Sequence, residues 1–124
     1  MSERFTSEIL VEHIMRTNIE VIHEETHFDQ VLKVIEHRRY NLFPVVNANE
    51  EFVGMISFQD VRDVLYDGSM KDLVIAKDIV NPTGPFIQSK VTIQEALDMF
   101  QQEKIDMLPV IDDRVTKRLL GIVT

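Results

Sequence analysis

The sequence predicts an α/β fold. Two β-α-β-β-α units are expected to pack with pseudo-twofold symmetry, the second lacking its last helix. Three observations carry this. The strings Leu42-Phe43-Pro44-Val45-Val46 and Met107-Leu108-Pro109-Val110-Ile111 are alike and lie 65 residues apart. The same offset pairs Ile14 with Ile79 and Ile22 with Ile87, and it aligns Phe28, Val31, Leu32 and Ile35 with Ile93, Ala96, Leu97 and Phe100. Further on, Gly54-Met55-Ile56-Ser57 matches Gly121-Ile122-Val123-Thr124 at an offset of 67, which puts two extra residues in the loop near 112–118. A repeat of about 60 residues buries little core by itself, so the two copies are expected to pack their apolar faces together.

Each element has a local reason. Glu20 to Ile22 and Phe86 to Ile87 are short β-prone runs bounded by polar or turn residues. Positions 28, 31, 32 and 35 step by three and four, the spacing of one helical face. Thr26 with Asp29, and Thr92 with Glu95, read as capping boxes at the starts of the two equivalent helices. Phe43–Val46 and Phe52–Ile56, joined by the polar loop 47–51, read as a hairpin. Pro44 lacks a ladder donor, so it should mark a strand start or an edge. Ser57-Phe58-Gln59-Asp60 opens another helix, with Val61, Val64 and Leu65 inward and Gly68 as the stop. Residues 1–69 form the first repeat with its N-terminal segment, and 70–124 form a linker and the truncated second repeat. The turn-rich Asn81-Pro82-Thr83-Gly84-Pro85 separates the linker from that repeat.

Composition narrows the function. The chain has 124 residues, 44% hydrophobic, with 13 basic and 21 acidic side chains and a net charge of −8. The excess of carboxylates argues against nucleic-acid binding, which depends on cations neutralising phosphates. No apolar run reaches the ~20 residues of a membrane span, so direct membrane insertion is not expected. Cysteine is absent, which excludes disulfides and thiolate metal sites. His23-Glu24-Glu25-Thr26-His27 spells the zinc-protease pattern H-E-x-x-H. That chemistry needs both histidines on one helix face. Here the motif should straddle a strand end, a turn and a helix start, so no metal site and no catalytic role are assigned. The four glycines form neither a dinucleotide fingerprint nor a P-loop.

The repeated Leu-Pro-Val-like strings and Gly54-Met55-Ile56-Ser57-Phe58-Gln59-Asp60 together resemble a tandem pair of cystathionine-β-synthase (CBS) domains, a Bateman module. The resemblance covers about Leu10 to Thr124. More narrowly, Ser57 to Leu65 followed by Leu73 to Ile79 looks like the CBS pair on the cytoplasmic tail of prokaryotic voltage-gated-type chloride channels. The resemblance implies a regulatory module that binds AMP, ADP or ATP, or a related ligand, and modulates an attached effector, a chloride channel or other membrane transporter. It implies cytoplasmic location, and homodimerisation through helices around Val31–Ile35 and Val61–Leu65. A stand-alone CBS protein, or a ligand-free dimerisation module, is the alternative.

The resemblance also places a nucleotide site at Ser57, Asp60, Thr83, Phe86, Met107, Leu108 and Pro109. A carboxylate at Asp60 can accept from two ribose hydroxyls, and Ser57 can reach a sugar or phosphate oxygen at the helix start. Thr83 to Phe86 would contribute apolar contacts to the base, and the backbone at Met107 and Leu108 would bond its edge. A weaker second site would use Thr17, Val21, Asn41, Leu42, Phe43 and Thr124; its expected Asp would fall three residues past Thr124. Arg39, Arg62, Lys104 and Arg118 are phosphate candidates by chemistry alone. Ser-x-x-Asp is equally an ordinary helix cap.

Overall fold

The computed structural model describes residues 7–37, 39–68 and 72–124. They form two three-stranded sheets, each ordered as its strands follow in the chain. The first holds β1 (Ile22–His23), β2 (Leu42–Val46) and β3 (Phe52–Ser57); the second holds β4 (Ile87–Gln88), β5 (Leu108–Ile111) and β6 (Leu119–Val123). Helix α1 (Phe28–Glu36) joins β1 to β2, and α2 (Phe58–Asp67) follows β3. A short α3 (Ala76–Ile79) lies between the repeats, and α4 (Ile93–Glu103) joins β4 to β5. The mixed α/β class and the repeated order of elements are those the sequence predicts.

Register repeats as well. β1 runs parallel to β2 with Ile22 opposite Val45, and β4 runs parallel to β5 with Ile87 opposite Val110. β2 with β3, and β5 with β6, are antiparallel hairpins, each irregular at its last pair, Val45/Val46 and Val110/Ile111. Pro44 and Pro109 sit inside central strands, not at strand starts. Each lies one residue before the parallel pairing begins, so at its level the strand has only its hairpin partner. A residue without an amide donor is tolerated there because no ladder bond is asked of it.

The caps differ from expectation at one helix. Thr92 caps α4 as predicted, its Oγ1 accepting from the Glu95 amide at 3.3 Å. Thr26 does not cap α1. The chain stays extended one residue further, because His27 bridges Ile75 and the Thr26 carbonyl accepts from the Ala76 amide at 2.8 Å. The N-cap is therefore His27, with no side-chain cap bond. Gly68 ends α2 in the left-handed region, as expected of a C-terminal glycine.

The chain packs as two compact units, Glu20–Gly84 and Met1–Ile19 with Pro85–Thr124. The sequence division at 69/70 follows the repeat; the packing follows the segment that precedes each repeat. In the unit Glu20–Gly84, Ile22, Phe28, Val31, Ile35, Phe43, Val45, Ile56, Val61 and Ala76 form the core. Ala76 comes from the inter-repeat segment. In the other unit, Val11 is buried with Ile87, Ala96, Leu108, Val110 and Val123. Burial of this kind contributes roughly 25 cal/mol per Å² of apolar surface.

Two matching straps extend the hairpins. Asn81 and Met55 exchange amide–carbonyl hydrogen bonds at 2.8 and 3.0 Å, and Arg16 and Ile122 do so at 2.8 and 2.9 Å. Each strap lies directly over a glycine. A Cβ on Gly54 would collide with the Asn81 carbonyl, and one on Gly121 with the Arg16 carbonyl. The shared glycine of the two Gly-apolar-apolar strings is thus needed for close backbone approach.

The helix surfaces expected for dimerisation need correction. Val31, Ile35 and Val61 are buried in the core of their own unit. What α2 leaves outside is Leu65, 43% exposed, and Tyr66, 76% exposed. Among the described residues no helix is long and apolar enough to cross a membrane.

Candidate ligand-binding site

The string from Gly54 to Asp60 is one continuous piece of structure: the end of β3, a sharp change of direction at Ser57, and the first turn of α2. Ser57 has extended backbone and is the N-cap. Its Oγ accepts from the Asp60 amide at 3.1 Å, and its own amide donates to Asp60 Oδ2 at 2.9 Å. This reciprocal box satisfies two of the amides that a helix start leaves without intrahelical partners. Both residues are half-buried. Oδ2 carries the cap, and no hydrogen bond to Oδ1 is present among the described residues, where no buried side-chain N or O lacks a partner.

Asn41 joins this cluster. Its carbonyl accepts from the Phe58 amide at 2.9 Å, and Leu42 is opposite Ser57 in the β2–β3 ladder. The Asn41 carbonyl is therefore committed to the start of α2. Phe43 is buried in the core, and Val21 precedes β1. Thr83, in the same unit, donates its amide and hydroxyl to Asn81 Oδ1 at 3.0 and 2.7 Å, forming a tight exposed turn.

The remaining predicted residues belong to the other unit. Met107, Leu108 and Pro109 are buried, the last two in β5, and Thr124 follows β6 exposed. Thr17 follows the Arg16 strap and is exposed. Phe86 immediately precedes β4 and is half-buried. Its ring has two cations over it: Arg114 Cζ at 5.7 Å from the centroid and Lys117 Nζ at 5.2 Å. The sequence reading passed over Arg114 and Lys117. The charge reversal between the two hairpin loops, Glu50-Glu51 in one and Arg114 to Arg118 in the other, was the available signal.

The H-E-x-x-H string falls where the sequence puts it. His23 ends β1, and His27 is the N-cap of α1. His23 Nε2 lies 3.1 Å from Glu50 Oε1. Among the described residues no group of three or more His, Cys, Asp or Glu is placed to hold a metal ion.

Comparison with known proteins bears on this arrangement. The family model for the CBS domain matches the chain twice, over residues 11–67 and 72–124. Among curated proteins, an uncharacterized protein of Rickettsia prowazekii is 25% identical over 115 residues, covering 91% of this chain and 34% of that one. A homoserine O-acetyltransferase of Methanosphaerula palustris is 25% identical over 122 residues, covering 98% and 24%. The chain thus spans about a quarter to a third of the length of these relatives. Among solved structures, CBSX2 of Arabidopsis thaliana, in complex with AMP, superposes with a TM-score of 0.78 at 22% identity, covering 94% of this chain and 90% of that one. The CBS domain of a bacterial CNNM/CorC family Mg2+ transporter, in complex with ATP, gives 0.75 at 22% identity, covering 96% and 83%. A CBS domain-containing protein of Bacillus anthracis gives 0.85 at 15% identity, covering 99% and 91%.

Proposed function

Since the chain belongs to the CBS-domain family and carries two copies of the domain in tandem, we propose that it is a regulatory module whose ligand is an adenosine nucleotide. The observation that carries this reading is the division of labour at Asp60. Oδ2 closes the helix cap on the Ser57 amide, and the other oxygen stays available to a hydroxyl donor such as a ribose. The positive end of the α2 dipole favours an anion beside it. Capping and ligand binding are therefore compatible roles of one carboxylate. The AMP and ATP complexes of two structural relatives support the choice of an adenosine nucleotide.

Thr83, Phe86, Met107, Leu108 and Pro109 are proposed as further contacts on the strength of the family resemblance. The second site, with Thr17, Val21, Asn41, Leu42, Phe43 and Thr124, is proposed as the weaker one, because the Asn41 carbonyl is already bonded to Phe58. The ligand would regulate by binding one arrangement of the module better than another, the only way binding shifts such an equilibrium. We assign the module no catalytic step. Two kinds of curated relative are enzymes, of which this chain matches 24% in an acetyltransferase and 18% in an inosine-5'-monophosphate dehydrogenase. Its effector is proposed to be a membrane transporter with the module on the cytoplasmic side, a chloride channel being the specific candidate from the string Ser57 to Leu65. Homodimerisation is proposed through the exposed end of α2.

Isothermal titration calorimetry with AMP, ADP and ATP tests the reading. The wild type should bind at least one, and Asp60→Ala should not. Asp60→Asn keeps an acceptor for the Ser57 amide but presents a donor to the ribose, so it should keep stability and lose affinity. Undiminished affinity in both variants would overturn the assignment. Absence of binding by any adenosine compound would favour the ligand-free dimerisation module, for which the box at Ser57 is a cap alone.

A further inference from the structure

The two hairpin loops, 47–51 and 112–118, hold the same place in their repeats and have diverged in three ways. The second is two residues longer. It holds three basic and two acidic side chains, where the first holds two acidic and no basic ones. It carries Val115, 91% exposed, the most exposed large apolar side chain among the described residues. The shape of this loop is set from within. Asp112 Oδ1 accepts from the amides of Asp113 and Arg118, and Asp112 Oδ2 from the Thr116 hydroxyl. Asp113 Oδ1 takes the amides of Val115 and Thr116, and the Asp113 carbonyl takes that of Lys117. Lys117 is held in the left-handed region at φ 52°, a conformation that costs a lysine stability and usually falls to glycine.

These bonds spend both carboxylates on the loop's own amides and hydroxyl. Arg114, Lys117 and Arg118 are exposed, and no ion pair among the described residues involves them. Arg114 Cζ and Lys117 Nζ both stand over the Phe86 ring, 5.7 and 5.2 Å from its centroid, so the two charges converge. A cation over a ring at an exposed site is weakly held, which orients its charge without neutralising it. Val115 lies between the two in the chain. The loop therefore displays two oriented cations and one aliphatic side chain on a frame already closed by hydrogen bonds, so a binding partner need not order it. The rest of the protein narrows the partner. A net charge of −8 repels an extended anionic surface such as a bilayer or a nucleic acid. A short acidic segment escapes that repulsion, because charges beyond about 8 Å are screened at physiological salt and only the loop is within its reach. Val115 offers nothing to a small polyanion, but it fits an aliphatic side chain set within such a segment.

We infer that the loop 112–118 is a docking surface for a short acidic segment of a partner protein. Arg114 and Lys117 pair with its carboxylates, and Val115 packs on an aliphatic side chain among them. Arg offers a planar fork matched to a carboxylate, and Lys adds a mobile point charge. The contact is small, so it is a weak, salt-sensitive one that a tether within the same assembly would make effective. It does not depend on the nucleotide reading. It asks nothing of the other packing unit, since Phe86 and 112–118 belong to one. The equivalent loop of the first repeat cannot serve, because it presents Glu50, bonded to His23, and Glu51, bonded to Asn47.

Fluorescence anisotropy on the full chain tests this, with a labelled glutamate-rich peptide carrying one central leucine. The same peptide with glutamine in place of glutamate, inorganic tripolyphosphate and phosphatidylglycerol vesicles are the comparison probes. The wild type should bind the acidic peptide at about 20 mM salt and lose most of that binding by about 200 mM. Arg114→Ala/Lys117→Ala should lose about tenfold in affinity, and Val115→Ser about threefold. Lys90→Ala, which removes a lysine of the same unit paired with Glu12 at 3.1 Å, should bind like wild type. Thermal unfolding confirms that each variant folds, and Arg114→Gln/Lys117→Gln repeats the test with longer side chains. Failure of the wild type to bind the acidic peptide, equal binding of the glutamine peptide, or unchanged affinity in the double variants or in Val115→Ser would overturn the inference. An equal loss in Lys90→Ala would also overturn it, by making the attraction one of overall charge. Vesicles or tripolyphosphate binding more tightly than the peptide would do so too, by making the loop a lipid or phosphate surface.

Discussion

Arg16 and Ile122 exchange two backbone hydrogen bonds, although Arg16 precedes the strands of the first repeat and Ile122 lies in the last strand of the second. Val11, five residues before Arg16 in the same N-terminal segment, is fully buried in the core of the unit containing β4 to β6. Val11→Ala should therefore destabilise that unit by about 2 kcal/mol, the scale of a buried truncation with partial collapse. Hydrogen exchange read by mass spectrometry checks the location. Amides of β5 and β6 should lose protection while those of β2 and β3 keep theirs.

Gly121→Ala and Gly54→Ala should each break one strap, since the added methyl meets a backbone carbonyl that has no rotamer to move. A cost of about 1–3 kcal/mol is expected for such overpacking. Chemical denaturation of both variants measures it. Stability equal to wild type would mean that the straps shift freely, against the paired hydrogen bonds at both.

Lys104 ends α4 in the left-handed region at φ 54° and ψ 46°. A side chain there is disfavoured, and glycine is the usual occupant. Lys104→Gly should raise stability by about 1 kcal/mol, visible as a higher melting temperature. The same substitution leaves nucleotide affinity unchanged if Lys104 is no phosphate ligand.

Acid should loosen the second hairpin loop. The Asp112 carboxyl is held below the usual carboxylate range chiefly by the Thr116 hydroxyl, with desolvation opposing and the amides of Asp113 and Arg118 assisting. A lowered folded pKa means the unfolded chain takes up the proton first as pH falls. The stabilisation is present above the ordinary carboxylate pKa of about 4 and disappears as pH falls through the lower folded value. Melting temperatures from pH 7 to 3 should fall less steeply for Asp112→Asn than for wild type.

Much of the fold was legible because side-chain pattern encodes it. The 65-residue offset, the helix face at Phe28, Val31 and Ile35, and the cap at Ser57 all depend on residue type at a spacing. The straps were not legible, because backbone-to-backbone pairing at Arg16 and Asn81 leaves no periodic trace in the side chains. The same cause displaced the α1 cap from Thr26 to His27: a bridge to Ile75 decided it. At the candidate site, Ser57 and Asp60 were readable as neighbours three apart. The convergence of Arg114 and Lys117 on Phe86 was not, since it joins residues well separated in the chain and depends on a loop shape set by Asp112 and Asp113.

The exchange of straps has a consequence for cutting the molecule. Each packing unit takes its glycine-covered edge from the segment ahead of the other repeat. A chain divided between residues 68 and 72 yields two fragments, and each carries the strap its partner lacks. Neither should fold alone, yet mixed together they should reassemble, so the repeat boundary is a site for a split-protein complementation assay. An unmatched fragment would satisfy its open edge by borrowing from another copy, which makes truncated versions prone to swapped oligomers.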